Sequence, residues 1–303
     1  MATATTNRII FVPGKNPKPP VEEHYAQLLR SLVHGVGRAD PAAARAIADT
    51  PGAFTLIPWN KLYYGESKPL GPDRSWIDAL LTRDGPTADE VREALSWRRK
   101  GARAMISIAD FLPVLIPLLP DPAVKSAIQE TERYFSNFGG IGGRVRELLK
   151  APLREIFARG ERVLLIGHSM GSVIAYDVLW ELWHAEGRRE RLDTFLTLGS
   201  PLGMRFSQKR LLGAGARGAK KYPGNIRRWI NLVAQGDLAA LDTTVADDFA
   251  PMRDLGLIEK ITDMDESIFN FFRNADGLNV HRSYGYLVNP RVGEVIAKWW
   301  RGD

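Results

Sequence analysis

Short apolar runs alternate along the chain with longer stretches in which apolar residues recur every three or four positions. The runs Arg8–Val12, Ala53–Pro58, Arg162–Ile166, Thr194–Leu198 and Trp229–Ala234 are short and rich in branched side chains, as buried strands are, and a sixth falls at Ile258–Met264. Between them lie helical patterns at Val21–Gly37, Arg144–Arg159, Met170–Glu186 and Arg291–Trp300. Strands and helices in alternation predict an α/β domain: a mostly parallel central sheet flanked by helices on both faces.

The alternation breaks between Tyr63 and Gly143. Residues 1–62 and 144–303 read as the α/β core, and residues 63–143 as an inserted helical cap or lid. Within the insertion, Thr87-Ala88-Asp89-Glu90 is a capping box that opens a helix with Val91, Leu95, Ala102 and Ile106 on one side. The run Phe111–Pro120 follows. Its three prolines and its length exclude a transmembrane helix, leaving a greasy lid or acyl-chain wall, with Phe111 and Leu115 in contact with substrate, or plain packing within the cap. Gly139-Gly140-Ile141-Gly142-Gly143 closes the insertion as a hinge or an ordinary loop.

Candidate chemistry concentrates where Val163-Leu164-Leu165-Ile166 ends in Gly167-His168-Ser169-Met170-Gly171. A Gly-x-Ser-x-Gly arises by chance about once in ten chains of this size and composition, so its context decides. Here a buried-strand run precedes it, and a helix follows with Ile174, Val178 and Leu182 on its apolar side. That is the strand, sharp turn and helix of a nucleophile elbow, in which the glycines leave room for close backbone approach and the serine stands proud of the sheet. Ser169 is the candidate nucleophile.

With this elbow the chain resembles the α/β-hydrolase superfamily, and the resemblance runs almost end to end. It implies a serine, acid and histidine in that chain order, together with amide donors for an oxyanion. Of five histidines, His24 and His34 precede the serine, His184 lies in the following helix, and His168, inside the elbow, is expected to point away. His281, in the polar stretch before the final helix, remains as the base. Asp237, just past the strand Trp229–Ala234, is the expected acid, and Asp242, Asp247 and Asp248 are its rivals.

The family position of the oxyanion loop falls after the first strand, at Pro13-Gly14-Lys15-Asn16-Pro17-Lys18. Many relatives carry His-Gly there. Pro13 has no N–H, so the resemblance implies donors from Met170 and from Lys15 or Gly14. It also implies that the two leading antiparallel strands of the full family fold are missing, as in its more compact members. Gly199-Ser200-Pro201-Leu202 resembles a turn that lies near the acyl pocket in lipases and related acyltransferases, which makes Ser200, Pro201 and Leu202 candidate substrate contacts.

Composition narrows the picture further. The 303 residues contain no cysteine, which excludes a disulfide framework, a thiolate nucleophile and a cysteine metal site. Net charge is +6. Basic clusters at Arg98-Arg99-Lys100, Arg188-Arg189-Glu190-Arg191 and Lys220-Lys221 read as solvated helix faces or as transient contacts with an anionic lipid surface. No nucleic-acid-binding module accompanies them. Gly213–Gly218 matches a dinucleotide-binding spacing but follows no strand, and reads as a mobile loop. The first residues, MATATTNR, lack the layout of a secretory signal, and a cytoplasmic location is expected.

The expected function is hydrolysis of a small-molecule or lipid carboxylic ester through a Ser169–Asp237–His281 triad and an acyl-enzyme, with no metal or organic cofactor. Two alternatives stay open: transfer of the same acyl group as an acyltransferase or thioesterase, and ligand binding without turnover.

Overall fold

The computed structural model describes residues 6–96, 130–238, 240 and 242–303. The strands are β1 (Asn7–Val12), β2 (Phe54–Leu56), β3 (Arg162–His168), β4 (Leu192–Leu198), β5 (Ile226–Ala234) and β6 (Lys260–Ile268), with a two-stranded ribbon of β7 (Arg273–Asn274) and β8 (Gly277–Leu278) beyond them. The helices are α1 (Val21–Ala39), α2 (Pro41–Asp49), α3 (Trp59–Tyr64), α4 (Gly71–Leu81), α5 (Ala88–Ala94), α6 (Ile141–Ala158), α7 (Met170–Trp180), α8 (Ser283–Leu287) and α9 (Pro290–Arg301), besides single turns at Arg205–Gln208 and Ala250–Asp254.

The six main strands form one sheet in the order β2-β1-β3-β4-β5-β6, and every pairing in it is parallel. Side chains alternate across it as the period of two requires. Ile9, Phe11, Leu164, Ile166, Leu196 and Leu198 pack with α1, α2, α4, α8 and α9 on one face. Ile10, Val12, Val163, Leu165, Phe195 and Trp229 pack with α3, α6 and α7 on the other. Two-sided burial explains why the strands read as unbroken apolar runs.

Chain order reverses between β1 and β3: from β1 the chain moves outward to β2, then returns to β1's other side and proceeds to β6. In open parallel sheets this switch point, at the carboxyl ends of the strands, leaves a crevice. The loop after β1 and the turn after β3 flank it.

Three elements differ from the sequence pattern. α6 starts at Ile141 rather than Arg144, so Gly142 and Gly143 lie within the helix; a Cβ on Gly142 would meet the Tyr134 carbonyl at 2.7 Å. α7 is not one-sided, because residues 170–179 are all buried. Tyr222, Trp229 and Phe249 pack with Tyr176 against this helix, and Tyr134 closes on Asp177. The helix also ends at Trp180 and passes into a π-helical turn at Glu181–Ala185. Gly213 packs on the Trp180 indole, which ties down the turn expected to be mobile.

Of the segment 63–143, α4 packs on α1 through Ile77 and Leu80. α5 opens with the expected capping box, with Thr87 accepting from Glu90 N and the Glu90 carboxylate accepting from Thr87 N. Its Ala94 carbonyl abuts Gly236. Phe111, Leu115, the run Phe111–Pro120 and the basic cluster Arg98-Arg99-Lys100 lie outside the described residues. Among the described residues no helix is long and apolar enough to cross a membrane.

Candidate active site

Ser169 occupies the turn between β3 and α7 with φ 52° and ψ −128°. A side chain rarely adopts a positive φ, and the surroundings here enforce it. A Cβ on Gly167 would lie 2.5 Å from Ser172 Cα, and one on Gly171 would lie 2.1 Å from the Val12 carbonyl. Only glycine fits at both places. The turn is held by Ser169 N donating to Leu198 O (3.0 Å) and by Ser172 N and Oγ donating to Ser169 O (2.9 and 2.6 Å). Ser172 Oγ also meets Ser200 Oγ at 2.6 Å, and Ser200 Oγ accepts from Leu202 N. Ser200 thus braces the elbow from beside β4. Leu202 is wholly buried in the core, where it supports this turn from behind and cannot present a surface to substrate; Pro201 is partly exposed.

Asp237 follows β5 at the same sheet edge and is completely buried. His281 Nδ1 lies 2.8 Å from its Oδ2, and Tyr286 Oη donates to the same oxygen at 2.6 Å. The carboxylate therefore holds the imidazole with Nδ1 protonated and Nε2 bare. About a third of the His281 side chain is exposed, so Nε2 can reach a substrate. Tyr286 Oη also accepts from Ala234 N; burial and the Asp237 charge hold its proton on by raising its pKa. Of the rival aspartates, Asp242 accepts from Thr244, Asp248 accepts from Gln208, and Asp247 is exposed.

Gly199, at the end of β4, adopts φ 53° and leaves the space this pair needs. A Cβ there would lie 2.8 Å from Asp237 Oδ2, 2.9 Å from Tyr286 Oη and 3.1 Å from His281 Nδ1.

His168 does not point away. Its ring centroid is 4.8 Å from that of His281, and its Nε2 donates to the His281 carbonyl at 2.8 Å. Burial, and next the neighbouring His281, depress its pKa well below the usual value, so it is neutral. His281 N donates to Asn279 Oδ1, and Asn270 Nδ2 donates to the next carbonyl, that of Arg282. His281 thus sits on a backbone fixed at three consecutive points. The sequence offered one signal for His168: a polar ring directly after an otherwise apolar strand.

No direct hydrogen bond joins Ser169 to His281 among the described residues. His168 lies between them, being adjacent to one in sequence and packed at a tilt against the ring of the other. Such serine–base hydrogen bonds are often long in the absence of substrate.

The loop after β1 lies against the elbow. A Cβ on Gly14 would come within 2.9 Å of both Ser169 Cβ and His168 Nδ1. The amides of Gly14 and Lys15 bond to no acceptor among the described residues, and Met170, as the first residue of α7, has no intrahelical acceptor for its N–H. Lys15 Nζ stands 3.9 Å from Glu130, and burial lowers its pKa. A small cavity beside Lys15 and Met170 is walled by Trp59, Tyr63, Tyr64 and Tyr134. Among the described residues no group of three or more histidines and carboxylates is placed to hold a metal ion.

The arrangement can abstract a proton with a carboxylate-oriented imidazole and offer amide donors beside a strained serine. Comparison of the chain with protein-family models, curated proteins and solved structures yields no match.

Proposed function

We propose that this protein is a serine hydrolase of the α/β-hydrolase type that cleaves carboxylic esters. The observation that carries the reading is the 2.8 Å contact between His281 and the buried Asp237, formed beside the Ser169 elbow at the carboxyl edge of the sheet. Ser169 Oγ attacks the ester carbonyl while its proton passes to His281 Nε2, and Asp237 stabilises the resulting imidazolium. Negative charge on the former carbonyl oxygen is met by amides of Met170 and the Gly14–Lys15 loop. His281 then returns the proton to the leaving alkoxide, and the C–O bond breaks to give an acyl-enzyme. Water, deprotonated by His281, releases the acid and regenerates the serine.

The test is turnover of p-nitrophenyl esters from acetate to palmitate by the wild type and Ser169→Ala. The variant is expected to lose on the order of 10⁶ in kcat, as when a nucleophile is removed from a working triad. Retention of most of the activity by Ser169→Ala overturns the proposal.

A further inference from the structure

The loop after β1 has four successive carbonyls taken by side-chain donors. Trp59 Nε1 donates to Pro13 O at 2.7 Å. Asn60 Nδ2 donates to Gly14 O at 2.8 Å and to Asn16 O at 2.9 Å. Lys18 Nζ donates to Lys15 O at 2.7 Å. Trp59 and Asn60 open α3 and are almost wholly buried, at 1% and 2% exposed.

Asn60 is committed to this task at a cost, because its Oδ1 is buried without a partner among the described residues. A buried acceptor without a partner has given up its bonds to water and gained none in return. Flipping the amide would not relieve it, since Oδ1 would then face two carbonyl oxygens.

No peptide bond in the described chain is cis. In a planar trans peptide the C=O of one residue and the N–H of the next point in opposite directions. Whatever fixes the Pro13 carbonyl therefore aims the Gly14 N–H, and whatever fixes the Gly14 carbonyl aims the Lys15 N–H. Both amides are free of acceptors, and Gly14 lies in contact with the nucleophile.

We infer that Asn60 and Trp59 are positioning residues for the oxyanion: by holding the Gly14 and Pro13 carbonyls they turn the Lys15 and Gly14 amides toward the oxygen that becomes negative. This rests on the serine-hydrolase reading. Its energetic logic is preorganisation, in which dipoles fixed during folding need no reorientation when charge develops.

The experiment reads the labelling of full-length protein by a fluorophosphonate and needs no knowledge of the natural ester. The Ser169 Oγ–P bond forms, the P–F bond breaks, fluoride leaves and the serine proton passes to His281; the phosphoryl oxygen occupies the oxyanion position. Asn60→Asp keeps the shape and removes both N–H donors, and Trp59→Phe removes the indole donor but keeps a ring. The first-order labelling constant at saturating probe is expected to fall about 10- to 100-fold in each, with the half-saturating concentration unchanged within about twofold. Thermal melts identify a variant that has failed to fold, and the other then carries the test.

Unchanged saturating rates in the folded variants overturn the inference while leaving the hydrolase reading intact. So does a loss confined to the half-saturating concentration. A wild type whose Ser169 is not labelled at all overturns the hydrolase reading, and the inference falls with it.

Discussion

Gly199 and Tyr286 show how little freedom the site has at the level of single atoms. Alanine at Gly199 would combine a positive φ, costing about 1–2 kcal/mol, with a methyl group pressed onto Asp237, Tyr286 and His281. Gly199→Ala is expected to lower ester turnover at least about 100-fold, since misplacement of reacting groups by about 1 Å costs that much; circular dichroism should show the fold retained. Tyr286→Phe removes the donor to Asp237 and the acceptor for Ala234 N. Leaving a buried amide unsatisfied costs about 1–3 kcal/mol, to be read from urea denaturation. Residue-level reading of the sequence singled out Ser169 from the elbow, Asp237 from its place just past a strand, and His281 from its chain order among the five histidines. It missed His168, Trp59 and Asn60, whose roles come from contacts 113, 46 and 46 residues away in the chain.

At the scale of elements, the packing of α1 against α8 and α9 depends on two glycines. A Cβ on Gly35 would lie 1.9 Å from the Leu287 carbonyl, and one on Gly293 would lie 2.0 Å from the Gly35 carbonyl. Gly293→Ala is expected to destabilise the fold by about 1–3 kcal/mol, the usual penalty for overfilling a packed contact. The drop in urea midpoint at constant slope measures it. Losses from Gly35→Ala and Gly293→Ala should fall short of additivity, because either one already pushes α1 away from the α8–α9 pair at the same point, Gly35. Both helices are amphipathic and were plain from periodicity. α7 was not read correctly, since its buried polar residues Ser172 and Asp177 meet partners that the chain brings from elsewhere, Ser200 for the first and Tyr134 and Leu212 for the second.

For the whole molecule, buried ionisable groups set opposing pH trends. Burial pushes the Asp177 pKa up to about 7, so the folded state keeps a proton that the unfolded chain releases near pH 4. Stability from this group is full below pH 4 and declines as pH rises to about 7. His24 and His168, whose pKa values burial depresses, act in the other direction: the unfolded chain gains protons below about pH 6.5, so stability is lost as pH falls. Thermal melts between pH 4 and 8 should show Asp177→Asn gaining relative to wild type as pH rises. A difference independent of pH would show that Asp177 is ionised in the folded protein.

The sequence by itself determined the succession of the strands and the longer helices and the elbow, because periodicity, capping and turn chemistry act over a few residues; the candidate triad came from the resemblance and its chain order. All six parallel strands were visible as apolar runs for that reason, although β2 proved shorter than its run and β6 longer. Tertiary structure decided what depends on residues far apart in the chain. It placed Asp237 against His281, turned His168 toward the same place, and fixed the loop after β1 through Trp59 and Asn60. Hydrogen bonds and close packing are set by distances in space, and no local pattern encodes which distant side chain will supply the donor.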